Sequence, residues 1–290
     1  MNGTLYIVAT PIGNLEDITY RAVRTLGEAD LIACEDTRQT RKLLDRYAIS
    51  KPLTSYHEHN EEDRSEELVR ELEAGKNVAL VSDAGTPLIA DPGYRLVRKA
   101  RERGIQVSPI PGPSAIVAAL SASGLPTDAF EFQGFFSAKR TQRGRQLGQL
   151  RDSPSTQVFY EAPHRILETL DDIVEILGDR PVVVAREVTK VHEEFLIGTA
   201  AEIRDVLQSR TGIKGEFTVM IGKGAGRPSD ERPVPEAVAE LVAQGVPRMD
   251  AYKRVARERG LSKREVYRHC VSGAEPGGSA QAGATAPRRK

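Results

Sequence analysis

Short apolar runs alternate with amphipathic segments through the first half of the chain, and this alternation constrains the fold more than any other feature. The segments between the runs, such as EELVRELEAG (66–75) and YRLVRKARERG (94–104), have helical periodicity and close with a glycine, as helices often do. Near-continuous apolar strands that alternate with helices are typical of a parallel sheet covered on both faces. The runs are residues 5–10, 31–36, 78–85 and 107–112.

A second series of apolar runs follows residues 111–126, so we predict a second α/β domain. Its runs are residues 130–136, 156–162, 181–187 and 216–222. A Gly- and Pro-rich stretch then leads into a basic segment of three short helices, where Ser262 and Glu265 have the spacing of a capping box. The predicted fold class is α/β with a small C-terminal helical segment. The predicted boundaries are 1–117 for the N-terminal α/β domain, 118–224 for the C-terminal α/β domain, 225–235 for a linker, 236–272 for the helical segment and 273–290 for a disordered tail.

Loops rich in Gly, Pro and Asp follow the predicted strands of the first half. Because open α/β sheets bind ligands at the carboxyl ends of their parallel strands, these loops predict a binding site. Glycine lets a ligand approach the backbone and proline restricts φ, so the loops combine access with rigidity. No dinucleotide-binding glycine fingerprint or P-loop occurs at a strand-to-helix turn. The loops are TPIGN (10–14), CEDTR (34–38), SDAGTP (82–87) and PGPSA (111–115).

Composition excludes several classes of function. Lys plus Arg (41) balances Asp plus Glu (41), so contact with nucleic acid requires a local basic patch. The two cysteines, Cys34 and Cys270, lack the spacing of a disulfide framework or a zinc site, which predicts a reducing compartment and no bound metal. No segment approaches the roughly 18 apolar residues that span a bilayer, and the N-terminus lacks a basic signal-peptide start. We therefore expect a cytoplasmic protein with no membrane contact.

Two charged segments have competing interpretations. REVTKVHEE (186–194) follows an apolar strand and is either a set of catalytic groups or a solvated network of ion pairs. The segment 248–269 is dense in Lys and Arg and contains Tyr252 and Tyr267, aromatic residues of the kind that stack on unpaired bases. A basic helix is equally compatible with a solvated surface, so RNA binding and simple solubility both stay open.

Taken together, the motifs of this chain resemble the rRNA 2′-O-methyltransferase branch of the tetrapyrrole methylase family. The resemblance covers residues 4–224 in order. It implies two domains of the tetrapyrrole methylase type, with S-adenosylmethionine in the cleft between them, and a homodimer. It also implies methyl transfer to the ribose 2′-hydroxyl of a cytidine in the decoding region of 16S small-subunit rRNA, either free or in an assembled subunit. The motifs are LYIVATPIGNLEDIT, CEDTR, SYHEHNE, VSDAGTPLIADPG, PIPGPSAIVAALSASGLP, FYEAPHRI, REVTKVHEE and KGE.

The resemblance further implies which residues contact the cofactor, since in the family first-domain loops line the cleft and second-domain segments close it. Tetrapyrrole methylases commonly have G-G-D-P where this chain has A-G-T-P, so contacts that Asp makes in relatives pass here to Thr86 or to backbone groups. The implied contacts are Pro11, Asp83, Gly85, Thr86, Pro87, Pro111, Gly112, Ser114, Ala115, Tyr160, Arg186 and Gly215.

A ribose hydroxyl is a weak nucleophile at neutral pH, so a base or a nearby cation assists its methylation, whereas a sulfonium methyl is already activated. We predict Glu187 as the base, Lys190 or Arg186 as electrostatic helpers, and Asp36 as a second candidate base. Two other functions fit parts of the sequence. A tetrapyrrole methyltransferase would use the same fold and cofactor on a macrocycle, and a noncatalytic RNA-binding assembly factor would use only the basic helices.

Overall fold

A computed structural model of the chain describes residues 1–224, 232–259 and 261–272. The chain divides into two compact units at Gly224. Residues 225–231 of the predicted linker and the whole of the predicted tail lie outside the described residues. Within the described ranges, no helix has both the length and the apolar character needed to cross a membrane.

The first sheet is entirely parallel and lies in residues 4–110. Its strands are β1 (Thr4–Val8), β2 (Leu31–Cys34), β3 (Leu53–Ser55), β4 (Val78–Val81) and β5 (Gln106–Ile110), in the spatial order β3-β2-β4-β1-β5. The helices that follow the first four strands are α1 (Tyr20–Glu28), α2 (Thr37–Arg46), α3 (Glu61–Glu73) and α4 (Tyr94–Glu102).

Helices cover both faces of this first sheet. Successive residues of a strand point to opposite faces, and along β4 Leu80 packs with Leu72 of α3 while Ala79 packs with Leu26 of α1. Leu44 of α2 joins the second of these clusters. The prediction of an α/β architecture with a covered parallel sheet is confirmed.

The second sheet is mixed and lies in residues 130–221. Its strands are β6 (Phe130–Phe135), β7 (Thr156–Glu161), β8 (Pro181–Arg186), β9 (Glu194–Thr199) and β10 (Phe217–Ile221), in the order β6-β7-β10-β8-β9. β6 and β7 are parallel, and all other neighbours are antiparallel. The sequence did not predict β9, because this edge strand begins inside the charged REVTKVHEE segment and is only partly buried.

Helices also cover both faces of the second sheet. One face carries α6 (Arg140–Gln149), α7 (Ile166–Leu177) and α8 (Ala200–Gln208), and the other carries α5 (Ala115–Ser123). Helix α5 spans the predicted boundary at residues 117 and 118, and its Ile116 and Leu120 pack against the second sheet. Ile12, from the loop after β1, joins the same cluster and ties the two sheets together. The boundary between the α/β domains stays a prediction.

The C-terminal unit contains α9 (Val234–Ala243), α10 (Arg248–Arg259) and α11 (Lys263–Ser272), which confirms the small helical segment. The predicted capping box starts α11: Ser262 N donates to Glu265 Oε2 at 2.7 Å, and Glu265 N donates to Ser262 Oγ at 3.2 Å. Tyr252 is only 4% exposed in the core of this unit, so the suggestion that it stacks on bases is wrong, whereas Tyr267 is 55% exposed.

Candidate active site

Three of the Gly- and Pro-rich loops lie together at the carboxyl edge of the first sheet and are hydrogen-bonded to one another. Thr10 N donates to Gly85 O at 2.9 Å, and Gly85 N donates back to Thr10 O at 3.0 Å. Thr86 Oγ1 donates to Pro113 O at 3.3 Å. The loop after β4 is therefore hydrogen-bonded to both the loop after β1 and the loop after β5, which restricts its motion.

A glycine at position 85 is needed for the backbone conformation of the loop, as well as for the approach of a ligand. Its φ is +84°, in the left-handed region that side chains disfavour. A Cβ at this position would also lie 3.3 Å from Ile12 Cγ2. A larger residue here would strain the loop itself.

A cavity of about 390 Å³ opens between these loops and the second sheet. Its size falls within the range of small-molecule sites, roughly 300–1,000 Å³. Seven of the predicted cofactor contacts line it: Asp83, Gly85, Thr86, Ser114, Ala115, Tyr160 and Gly215.

The other five predicted contacts do not line this cavity. Pro11 and Pro87 are buried, and Pro111 is exposed. Gly112 permits close packing on the end of β1, because a Cβ there would lie 3.0 Å from Ala9 Cβ. The fifth residue is Arg186, whose guanidinium donates to Lys214 O at 2.6 Å and to Glu194 Oε1 at 2.9 Å.

Sequence reasoning missed many other residues of the lining. Most of them lie inside the quoted motifs, so the motifs marked the right segments without showing which side chains face inward. Phe135 belongs to the predicted strand 130–136. The missed residues are Ile12, Ala84, Ile89, Ala90, Asp91, Phe135, Glu161, Ala162, Pro163, Val188, Glu216, Phe217 and Thr218.

One wall of the cavity is acidic. Asp83 and Asp91 both line it, and Glu35 lies near them in the loop after β2. Burial, with the charges of Glu35 and Asp83, raises the pKa of Asp91 to about 6. Burial and the charge of Asp83 also raise the pKa of Glu35. Carboxylates that repel one another in this way favour a cationic ligand, because a positive charge would relieve the repulsion.

Another part of the lining is aromatic. Tyr160 contacts Phe135 and Phe132 edge to face, with ring centroids 5.5 and 4.9 Å apart. Burial, then the charges of Asp91 and Glu216, raises the pKa of Tyr160 to about 12. The Tyr160 hydroxyl therefore stays protonated and can donate a hydrogen bond.

A second cavity, of about 780 Å³, adjoins the first. Val188 lines the first cavity, while its neighbours Glu187 and Thr189 line the second. Likewise, Ile12 lines the first cavity and the next residue, Gly13, lines the second. The second cavity is lined by Gly13, Asn14, Leu15, Glu16, Arg46, Glu187, Thr189, Lys190, Val191 and His192.

Lys190 joins the two cavities through an ion-pair cluster. Its Nζ donates to Glu187 Oε1 at 2.8 Å, beside the second cavity, and to Glu216 Oε2 at 3.0 Å, beside the first. The Lys190 hydrogen bond lowers the pKa of Glu187 against the opposing effect of burial. Burial works to lower the pKa of Lys190, but its hydrogen bonds to the two carboxylates raise the pKa overall. Both groups are therefore charged at neutral pH.

Two lining segments have strained backbones. Glu187 and Thr189 have φ values of +51° and +69°, and Leu88 and Ala90 have +72° and +66°. Non-glycine residues in this region each cost on the order of 1–3 kcal/mol and concentrate at functional sites. The residue between each strained pair, Val188 or Ile89, lines the first cavity. The strained backbone conformation therefore occurs where a side chain is directed into the site.

Asp36, the second candidate base, has a local structural role. Its carboxylate caps α2 by accepting from Arg38 N at 2.8 Å, and it also accepts from the Arg38 guanidinium at 2.8 Å. These hydrogen bonds from Arg38 lower the pKa of Asp36 to about 2. Asp36 N in turn donates to Asp83 Oδ1 at 3.0 Å. Asp36 lines neither of the two cavities, and its backbone N–H is the group that contacts Asp83. Its assignment as a second base stays a prediction.

In the part of the chain that the structure describes, no group of three or more His, Cys, Asp or Glu side chains is arranged to hold a metal ion.

Comparison with known proteins places these features in context. The family described as Tetrapyrrole (Corrin/Porphyrin) Methylases matches residues 4–204. A protein of Halalkalibacterium halodurans named ribosomal RNA small subunit methyltransferase I is 50% identical over 272 residues, covering 91% of this chain and 93% of the relative. The protein of that name from Bacillus subtilis is 44% identical over 272 residues, with coverage of 91% and 93%.

Solved structures with little sequence identity share the fold. A diphthine synthase has a TM-score of 0.61 at 15% identity, covering 76% of this chain and 90% of its own. The uroporphyrin-III-C-methyltransferase of Thermus thermophilus has a TM-score of 0.54 at 20% identity, covering 84% of this chain and 99% of its own.

Proposed function

Because this chain belongs to the tetrapyrrole methylase family, and within it to the ribosomal RNA small subunit methyltransferase I proteins, we propose that it methylates a ribose 2′-hydroxyl of small-subunit rRNA. The chain is a methyltransferase that uses S-adenosylmethionine, and its substrate is rRNA. The finer proposal is that the acceptor is a cytidine in the decoding region. The observation that carries the proposal of methyl transfer at this site is the cavity at the carboxyl edge of the parallel sheet, which has an acidic wall and adjoins a second, larger cavity. The choice of a cytidine in the decoding region rests on the resemblance of the motifs alone.

The residues of the first cavity fit S-adenosylmethionine. Asp83 and Asp91 offer negative charge to a ligand whose sulfonium and ammonium groups are cationic. Phe135 and Tyr160 offer flat apolar surface to its adenine. Gly85 contributes backbone and no side chain of its own to the lining, so a flexible cofactor can approach the main chain closely there. Rigid loops of this kind reduce the entropy lost on binding.

When bound, the cofactor supplies a methyl group that leaves sulfur with the C–S bond pair remaining on the sulfur, while the ribose oxygen forms the new bond to carbon. In our proposal the carboxylate of Glu187 accepts the hydroxyl proton, and the Nζ of Lys190 stabilises the negative charge that develops on the oxygen. Arg186 adjoins Glu187 in the chain, and its guanidinium donates to Glu194 and Lys214 O; we propose that its positive charge assists the same pair.

The C-terminal unit supplies a basic surface for RNA in this proposal. On α11, Lys263, Arg264, Tyr267 and Arg268 are all exposed, at spacings that place them on one side of the helix, while Val266 is buried. Phosphate contacts provide most of the sequence-independent affinity for RNA, and an exposed aromatic ring can stack on an unpaired base. A homodimer and a cytoplasmic location, where small subunits are assembled, belong to the same proposal.

Mass-spectrometric mapping of ribose methylation in small-subunit rRNA tests the proposal. A strain that lacks the gene should lose one cytidine 2′-O-methyl mark, and the purified protein with S-adenosylmethionine should restore it to subunits from that strain. Methyl transfer to a tetrapyrrole in place of RNA would overturn the proposal, and so would a complete set of rRNA ribose marks in the deletion strain.

A further inference from the structure

The second cavity, which Glu187 and Lys190 line, has the features of a nucleotide site. At about 780 Å³ it is within the usual size range of ligand sites. Its walls combine cationic, apolar and hydrogen-bonding groups. Arg46 at the end of α2 and His192 are exposed on its rim, and Leu15 and Val191 expose 43% and 95% of their surface beside them.

Arg46 is well placed to meet a phosphate. Within the described residues, its guanidinium makes no hydrogen bond or ion pair, although many other arginines of the first unit are paired with a carboxylate or a backbone carbonyl. An unpaired guanidinium beside a cavity is available for bidentate contact with an anion. The neighbouring Tyr47 links the end of α2 to the loop after β1, because its hydroxyl donates to Leu15 O at 2.6 Å.

The floor of this cavity is the ion-pair cluster that also borders the cofactor cavity. Gly13 makes this contact possible, since a Cβ there would lie 2.3 Å from Lys190 Cγ. The loop after β1 and the REVTK loop therefore pack directly together, with Lys190 between them. Glu187 and Lys190 lie where the two cavities adjoin. A ligand group in the second cavity that contacts these side chains therefore lies at the side next to the first cavity.

We propose that the second cavity receives the acceptor nucleotide of a single-stranded RNA segment, with its phosphate on Arg46, its base against Leu15 and Val191, and its ribose against Glu187 and Lys190. The inference rests on the proposed function, because it assumes that the methyl acceptor is a ribose. It adds the site of the acceptor and the residues that select it. RNA bases are recognised by proteins mostly when they are unpaired and splayed out, which fits a cavity lined by exposed apolar side chains beside an arginine.

The test uses the full-length protein, small ribosomal subunits from a strain that lacks the gene, and Arg46→Ala. We expect the affinity for S-adenosylmethionine, measured by calorimetry without RNA, to stay within about twofold of wild type. The KM for subunits should rise about ten- to a hundredfold, as loss of a charge-assisted contact predicts, with a smaller change in kcat. The salt dependence of binding should become shallower by about 0.7 in log-log slope, the value for one phosphate contact on a single strand.

Arg70→Ala is the matched control. Arg70 is exposed in the last turn of α3. This end of the helix leads into β4, so it lies at the edge of the first sheet opposite the loops of the site. The Arg70→Ala variant should methylate subunits with the KM, kcat and salt dependence of the wild type.

A second variant, Leu15→Asp, places a negative charge where the base would lie. It should raise the KM for subunits without lowering the affinity for S-adenosylmethionine.

The outcomes separate this inference from the proposed function. If wild-type protein binds S-adenosylmethionine but methylates no RNA, the proposed function fails. If the wild type methylates RNA and both Arg46→Ala and Leu15→Asp do so with unchanged KM and salt slope, the acceptor lies elsewhere and the inference is wrong. Loss of cofactor binding in both variants, with the fold intact by circular dichroism, would also overturn it, because the second cavity would then belong to the cofactor.

Discussion

Replacing Asp91 with asparagine should stabilise the protein and weaken its cofactor binding at the same time. In the unfolded chain the carboxyl titrates near 3.8, and in the folded protein burial raises its pKa to about 6. The folded state therefore binds this proton more tightly than the unfolded chain does. As the pH rises from 3.8 to about 6, ionisation of Asp91 progressively lowers the free energy of unfolding. Above about pH 6 Asp91 is charged in both states, and the reduction in the free energy of unfolding is complete.

The magnitude follows from the size of the shift. A rise of about two pH units corresponds to about 3 kcal/mol at roughly 1.36 kcal/mol per unit. Asp91 is only partly buried, so screening by solvent reduces this to about 1–2 kcal/mol. The uncharged amide that Asp91→Asn introduces carries no such cost. For a folding unit of this size the gain should raise the Tm by about 3–6 °C near neutral pH.

Cofactor affinity should change in the opposite direction. Asp91 provides part of the negative charge that faces a cationic ligand, and loss of a charge-assisted contact costs about 1.5–3 kcal/mol, or about ten- to a hundredfold in Kd. Wild-type affinity should also fall as the pH drops below about 6, where Asp91 takes up a proton, and Asp91→Asn should not show this step.

Urea unfolding at about pH 5 and about pH 8, with calorimetric titration of S-adenosylmethionine at both, measures these effects. The stability gain should be larger at the higher pH, where wild-type Asp91 is fully charged. Asp45→Asn, which removes an exposed carboxyl on α2, serves as the control and should change neither quantity. An equal gain at both pH values would refute the role of ionisation, and an unchanged Kd in a stabilised variant would refute the role of the acidic wall.

Three further predictions concern other parts of the molecule. Gly13→Ala should displace the Lys190 side chain, because the new Cβ would lie 2.3 Å from Lys190 Cγ. The kcat should fall at least about tenfold, while the affinity for the cofactor stays intact. The control is Gly27→Ala, which has open space around the new Cβ and should leave kcat and KM unchanged. Truncation after Gly224, the end of the first compact unit, should preserve cofactor affinity but weaken RNA binding and make its salt dependence shallower; unchanged RNA kinetics in the truncated protein would remove the basic helices from the RNA site. Binding of S-adenosylmethionine, titrated without RNA, should be insensitive to a chelator, because a sulfonium methyl needs no Lewis acid, and loss of binding on metal removal would contradict this.

The sequence by itself determined the fold class and the segments that form the site. Alternating apolar runs and helical segments require a covered parallel sheet, and the direction of its strands brings the TPIGN, SDAGTP and PGPSA loops to one edge whatever the details of packing. The same local signals located the capping box at Ser262, since capping depends on residues only three apart.

Only the tertiary structure decided which side chains in those segments face the cavity. Asp91 belongs to the acidic wall because folding buries it beside Glu35 and Asp83, and burial depends on residues distant in sequence. The Asp36 carboxylate, by contrast, pairs with Arg38 and caps α2, contacts that its position in CEDTR does not reveal. Val188 faces one cavity and Glu187 the other because of strained φ angles that no local propensity would favour. Local spacing fixes where a loop lies, whereas the direction of each side chain depends on the neighbouring elements that pack against it.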